Sequence, residues 1–387
     1  MSQYLHQHLK LHHLHFTEIN ELYISLSLQA FSSGLVGIFV PIYIYNLGFS
    51  INSLAGFYIV TFGTSMLLYP FTAKLVGWYG PKHIIATSYI LMFFYTIMLF
   101  LLPANPQALY PAAIMGGIAA AFFWIARHTD FATVINNRTT TNKFSTLLTF
   151  SVIAQALSPL IGGVIASNYG IGYALVGTCV GLLISIIPLL KTPEPIVPRR
   201  TNIKLLRTAP VRHMIANFAS NAQAVVGAYI WPFFIYLVVK TYENVGFVSS
   251  TSLVVIVVLL HFLGKINSRE KNNKMLKIGS NFRLVVHSIR AFAQSFTTVL
   301  GINMLGDISD TLISVPYAQR FYGGARQYDI PSYLTDMEIA GGLGKITPWL
   351  ILIGVNAVFD LQTALIATFV MAALLMPLLR LIEPTKE

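Results

Sequence analysis

Segments of this chain recur at almost one spacing. Val36-Gly37 and Pro41-Ile-Tyr-Ile-Tyr45 return as Val226-Gly227 and Pro232-Phe-Phe-Ile-Tyr236, the prolines being 232 − 41 = 191 positions apart. Ala73-Lys74-Leu75 is echoed by Gly264-Lys265-Ile266 at the same offset, and Ser158-Pro159-Leu160 by Thr347-Pro348-Trp349 at 348 − 159 = 189. A repeat this long makes each half a whole helical bundle rather than a solenoid unit, and paired apolar bundles are a common transporter plan.

Composition says what solvent those bundles meet. Of 387 residues, 55% are hydrophobic and 10% charged, a balance that requires a bilayer. Apolar runs of about 20 residues, enough to cross a hydrocarbon core, are expected near 23–46, 53–72, 83–102, 107–126, 145–166 and 171–190. Six more are expected near 213–239, 246–264, 275–295, 298–320, 337–356 and 361–382. The fold class is therefore all-α, a polytopic membrane protein of about 12 transmembrane helices in two pseudo-symmetric six-helix bundles. The expected division is an N-terminal segment 1–22, a first bundle 23–190, a basic Pro-rich linker 191–212, a second bundle 213–382 and a tail 383–387.

The net charge of +11 is not a nucleic-acid footprint, because lysines and arginines cluster in alternate connections. The positive-inside rule places both termini and the linker in the cytoplasm, in a bacterial-type inner membrane. No signal peptide is read at the start, so the first span acts as an uncleaved anchor. Cys179 is the single cysteine, which excludes a disulfide framework and a Cys metal site. The histidines at 6, 8, 12, 13 and 15 lack the cysteine or clustered carboxylates that would complete a metal centre, so a membrane-surface segment is expected there and neither metal nor cofactor.

The connection from Ala73 to Lys82 resembles the loop between the second and third helices of major facilitator superfamily transporters, with Lys74 inside it and Leu75, Gly80 and Lys82 fitting the pattern. Gly77 stands at its acidic position and Trp78 at its first basic one, so the charge relay usually assigned to this loop is not carried over. The second copy keeps Gly264, Lys265, Ile266 and Arg269, with Ser268 at the acidic place. Ala154, Ser158, Pro159, Gly162 and Gly163 resemble the fifth-helix motif many antiporters of that family carry, with Ala154 and Ser158 replacing glycines. Small residues let helices approach closely in lipid, and the proline permits bending. Ordinary tight packing is the competing reading.

In that fold the first and fourth helices of each half line a central cavity. Gln29, Ser32 and Ser33 share a face of the first span, and Asn217, Ser220 and Asn221, with Gln223 beside them, a stripe of the seventh. Both stripes are candidates for a substrate path or for packing. Intramembrane charge is the sharper signal, since an ionised group at the bilayer centre costs at least ~2.5 kcal/mol. Arg283, His287 and Arg290 share a face of the ninth span, Asp307 and Asp310 one of the tenth. A turn near Phe296 sets Arg283 level with Asp310, and a turn near Gly301 sets Arg290 there instead. The aspartates are candidates for proton or cation binding, with a purely structural ion pair as the rival. Lys345 is expected to snorkel to the surface in preference to contacting an anionic substrate. Arg127, His128 and Asp130 are expected to gate or anchor at a helix end.

The resulting expectation is a secondary transporter of a small solute, working by alternating access as a monomer, with export by proton exchange suggested by the fifth-helix resemblance. An importer or uniporter, a degenerate transporter serving as receptor or scaffold, and an intramembrane enzyme on lipid-linked substrates are the alternatives. The sequence contains no HExxH, nucleophile-elbow, phosphate-loop or Cys-x-x-Cys motif for the last.

Overall fold

The computed structural model describes residues 18–134, 138–191, 202–251, 256, 259 and 269–383. These residues are almost entirely helical, and none lies in a strand. The first half comprises α1 (Glu18–Gly34), α2 (Val40–Asn46), α3 (Ile51–Tyr79), α4 (Pro81–Phe100), α5 (Leu109–Val134), α6 (Arg138–Asn168) and α7 (Ile171–Leu189). The second comprises α8 (Val211–Val225), α9 (Trp231–Val239), α10 (Tyr242–Ser250), α11 (Arg269–Ile289), α12 (Phe296–Gln327), α13 (Ile330–Asn356) and α14 (Leu361–Leu375). The histidines before residue 18, residues 192–201 of the linker, Gly264, Lys265 and the tail after 383 lie outside the described residues, as does the side chain of Arg269.

The repeated Val-Gly and proline segments coincide with a break in the first span of each half. In the first, a 3-10 turn at Gly37–Phe39 separates α1 from α2, with Pro41 in the first turn of the resumed helix. In the second, a π turn at Val226–Ile230 separates α8 from α9, with Pro232 in the matching place. A proline in a helix's first turn forfeits no intrahelical bond, so both spans bend and continue.

Eight described helices are long and apolar enough to cross a membrane: the spans expected first to fourth, sixth, seventh, eleventh and twelfth. The fifth offers only Ile153–Asn168 as a shorter apolar helix. The ninth and tenth, α11 and α12, form complete helices of 21 and 32 residues that fall short on apolarity because they carry the charged groups described below.

Local chemistry sets the boundaries. Ser50 caps α3 by accepting the Ser53 amide at 3.1 Å. Gly80, at φ +83°, ends that helix and passes the chain to Pro81, a left-handed conformation that a side chain would strain. Ser295 and Thr298 form a reciprocal capping box on α12, while Asp329 and Asp360 cap α13 and α14.

Two faces are distinguished by charge. Lys82, Arg212 and Arg320 lie on a basic face, and Asn46, Tyr242 and Phe359 on a sparse one. The halves meet along α3 with α13 and α6 with α10. Toward the sparse face the seam is filled by rings: Tyr58 stacks on Trp349 at 4.2 Å and 6°, and Tyr229 lies 5.0 Å from Tyr58.

Candidate functional site: two buried ionic networks

The first network lies inside the second half. With α12 starting at Phe296, the chain adopts the first of the two registers, and Arg283 on α11 pairs with Asp310 at 2.9 Å. Its Nε donates to Gln223 Oε1 at 3.2 Å, and His287 Nε2 lies 3.5 Å from the same oxygen. Arg290 donates from Nη1 to His287 Nδ1 at 3.1 Å, which leaves the ring neutral with its proton on Nε2. The Arg290 guanidinium lies over Trp231 at 4.6 Å, and Trp231 Nε1 donates to Asn303, which donates to Asp307 at 2.9 Å. Methyl groups on Gly227 or Gly306 would each come within 2.9 Å of the Arg283 guanidinium. Two glycines thus make room for a buried cation.

The second network spans the seam. His128 on α5 faces Glu338 on α13, Nε2 to Oε1 at 3.3 Å, and its Nδ1 lies 2.8 Å from Tyr322 Oη on α12. Lys345, two turns after Glu338, reaches the second oxygen of that carboxylate at 3.5 Å and Tyr69 Oη on α3 at 3.4 Å. Its ammonium also lies 5.6 Å from the Trp124 ring and 5.9 Å from that of Tyr69. A carboxylate only accepts, so His128 Nε2 carries a proton and the Tyr322 hydroxyl serves a neutral ring by donating to Nδ1. With neutral His128, Glu338 and Lys345 cancel.

Lys345 corrects the sequence expectation. Instead of snorkelling, it is held in the interior, its side chain 13% exposed beside a carboxylate 5% exposed. Glu338, seven residues earlier on the same helix, supplies the counter-charge that keeps the ammonium inside. Their i, i+7 spacing, which shares a helix face, was the available signal.

The polar stripe of the first span divides. Ser32 turns away from the seam, with its hydroxyl on Leu28 O at 2.6 Å and its carbonyl receiving Thr178 on α7 at 2.9 Å. Gln29 bonds Ser33 at 2.9 Å and reaches Met92 on α4. Asn217 donates to Met337 O at 2.6 Å and accepts from Tyr317 at 3.0 Å, while Asn221 bonds the Asn217 carbonyl. These asparagines seat α13 against α8 at Gly341, where a methyl would press on both amides. Ser220 lies half-buried on the same helix.

The small-residue motif occupies both sides of α6. Methyl groups on Gly162 and Gly163 would collide with the carbonyls of Leu35 and Tyr242 respectively, so α6 touches backbone in each half. Ala154 is half-buried one turn before Ser158. Pro159 frees the Gln155 carbonyl, and Ser158 Oγ supplies a donor at 3.0 Å. In the loop motif, Leu75 is half-buried and Lys74 exposed, whereas Lys82 is buried in an ion pair with Glu21 at 3.6 Å, tying α4 to α1. Asp336, fully buried on α13, accepts the amides of Leu206, Thr208 and Ala209 and anchors the described part of the linker. Sequence reasoning missed it.

Two helical halves meeting at a polar, ring-lined seam define a polytopic membrane transporter. The Major Facilitator Superfamily model matches residues 22–314, and the chain belongs to that family. The human organic anion transporter MFSD10 is similar in fold with a TM-score of 0.66 at 11% identity, covering 92% of this chain and 98% of that one. A bacterial homologue of the iron transporter ferroportin, in an outward-facing state, gives 0.64 at 13% over 94% and 99%. A variant of the nucleoside transporter NupG gives 0.68 at 12% over 94% and 100%. No curated protein matches the chain in sequence.

Proposed function

We propose that the protein is a secondary-active transporter that moves a small solute by alternating access, as a monomer, with the proton as coupling ion and the His128–Glu338–Lys345 network as its central site. The observation that carries this reading is that the network draws Tyr69 and His128 from one half and Glu338 and Lys345 from the other. Any rocking of the halves must alter it, so occupancy of the site and conformation are linked. Arg283, His287, Arg290, Asp307 and Asp310 belong to a single half, and there the structural role suits them better than a moving proton site.

The organic anion, iron and nucleoside transporters of similar fold bear different kinds of cargo in their names, so the fold leaves the solute open. The fifth-helix motif supports rocking of either sign, because Pro159 and Gly163 face α10 across the seam. Direction therefore rests on the charge chemistry of the site rather than on that motif. Both termini and the linker on the cytoplasmic side of an inner membrane accord with the basic face.

Spin labels at Tyr169 and Phe359 report the sparse face, and labels at Tyr79 and Val211 the basic one, all four being exposed. Alternating access requires the two distances to change in opposite senses between acidic and alkaline pH. Distances that stay fixed at both faces, or lengthen together, overturn it.

A further inference from the structure

We propose that the seam site takes an anionic, ring-bearing solute and takes it together with a proton. This rests on the transporter reading above and adds the sign of the cargo. At rest the carboxylates Glu338 and Asp130 offset the cations Lys345 and Arg127, so with His128 neutral the enclosed group carries no net charge. Adding an anion alone would leave one unbalanced charge in the membrane interior, and adding a cation would place it beside an ammonium; both are costly. Adding an anion and a proton keeps the balance at zero.

The geometry provides for both additions. Lys345 shares its only described carboxylate, at 3.5 Å, with His128 at 3.3 Å. A proton on the His128–Glu338 pair cancels that pair's charge and leaves Lys345 to hold the incoming carboxylate. On His128 the change needs only a rotation of the Tyr322 hydroxyl, from donating to Nδ1 at 2.8 Å to accepting from it. The proton comes from solvent, one N–H or O–H bond forms, and none in the protein breaks. Trp124 and Tyr69 flank the ammonium and supply ring surfaces for an aromatic body. The charged and titratable groups facing Glu338 are Lys345 on its own helix, Tyr69 on α3, His128 on α5, and Tyr317 and Tyr322 on α12; Arg127 on α5 faces His128 and Tyr322, and Asp130 on the same helix faces Tyr322 and offsets Arg127. An anion and proton that bind together travel together, so an inward proton gradient drives uptake, the reverse of export by proton exchange.

The test uses purified full-length protein with benzoate, phenylacetate and 3-phenylpropionate against the amines and alcohols of the same skeletons, reading thermal midpoint and proton uptake in weakly buffered solution. A carboxylate should raise the midpoint and draw about one proton, its affinity falling about tenfold per pH unit on the alkaline side. Glu338→Gln leaves Lys345 without its counter-charge. That variant should bind the carboxylate at alkaline pH with no proton uptake, whereas Lys345→Met should lose binding. The proposal is overturned if amines shift the midpoint and carboxylates do not, if carboxylates bind without proton uptake, or if neither wild type nor Glu338→Gln responds to any carboxylate. Amine-selective binding would leave alternating access standing. Immobile label distances would defeat alternating access and leave a carboxylate response intact.

Discussion

The two ionic networks use similar groups and differ in what holds them. Around Arg283, three elements of one half, α8, α11 and α12, supply the partners, and two glycines shape the space for the guanidinium. Around Lys345, partners come from both halves: His128–Glu338 at 3.3 Å, Lys345–Tyr69 at 3.4 Å and His128–Tyr322 at 2.8 Å cross the seam, whereas Arg283–Asp310 at 2.9 Å lies within one half. A pair within one body keeps its geometry when the halves rock. A set shared across a moving boundary must exchange partners. Burial of charge therefore does not distinguish a brace from a working site, but the assignment of its members to one body or two does.

The sharpest way to break this comparison is to neutralise one carboxylate in each network. Asp310→Asn leaves Arg283, 2% exposed, without its counter-ion. Losing one partner of a buried pair costs roughly 3 kcal/mol, toward the low end because the Asp310 side chain is 43% exposed. Glu338→Gln likewise leaves Lys345, 13% exposed, without its counter-charge, so a loss of roughly 3 kcal/mol is expected there too, but an added carboxylate should recover part of it, as it should not for Asp310→Asn. Unfolding of both variants in mixed micelles with and without benzoate checks this. A Glu338→Gln protein that benzoate does not stabilise would mean that the seam network is a brace too.

Periodicity made the Arg283–Asp310 pairing legible, because i, i+4 and i, i+7 spacings on adjacent helices fix both face and depth once the turn is placed. The repeated Val-Gly and proline segments were legible as a duplication, whereas the break they make in the first span of each half shows only in the structure. Periodicity could not find the bond from His128 to Glu338, since no local pattern links residues on different bundles. Ser32 illustrates a second limit: i, i+3 spacing shows that residues share a face, but only packing shows that this face lies against α7 rather than the seam. Asp336 illustrates a third, because its partners are backbone amides, which every sequence supplies.

Close backbone approach offers a second contrast, of middling size. Gly162 abuts Leu35 within the first half, whereas Gly246 abuts Pro159 across the seam. Backbone cannot yield as a flexible side chain can, so Gly162→Ala should cost about 1–3 kcal/mol as overpacking. Gly246→Ala has an alternative: the halves can separate along α6 and α10 and relieve the collision. The expected result is little change in unfolding and a clear shift in the label distances. Equal destabilisation by both substitutions would show that the seam does not open there.

The smallest effect belongs to the hydrogen bonds that close the sparse face. Asn46 Nδ2 contacts Tyr236 Oη at 2.9 Å and Tyr242 Oη at 3.1 Å, all three groups being solvent-accessible. Exposed bonds of this kind contribute about 0.5–1 kcal/mol in net terms, too little to affect folding of a bundle yet enough to change a two-state ratio by roughly two- to fivefold. Asn46→Ala should therefore lengthen the Tyr169–Phe359 distance distribution and leave the unfolding midpoint in place. Its effect should persist in Glu338→Gln, because the two contacts lie on different helices at different depths. A loss of that additivity would show that the sparse face and the buried network respond as one switch rather than two independent contacts.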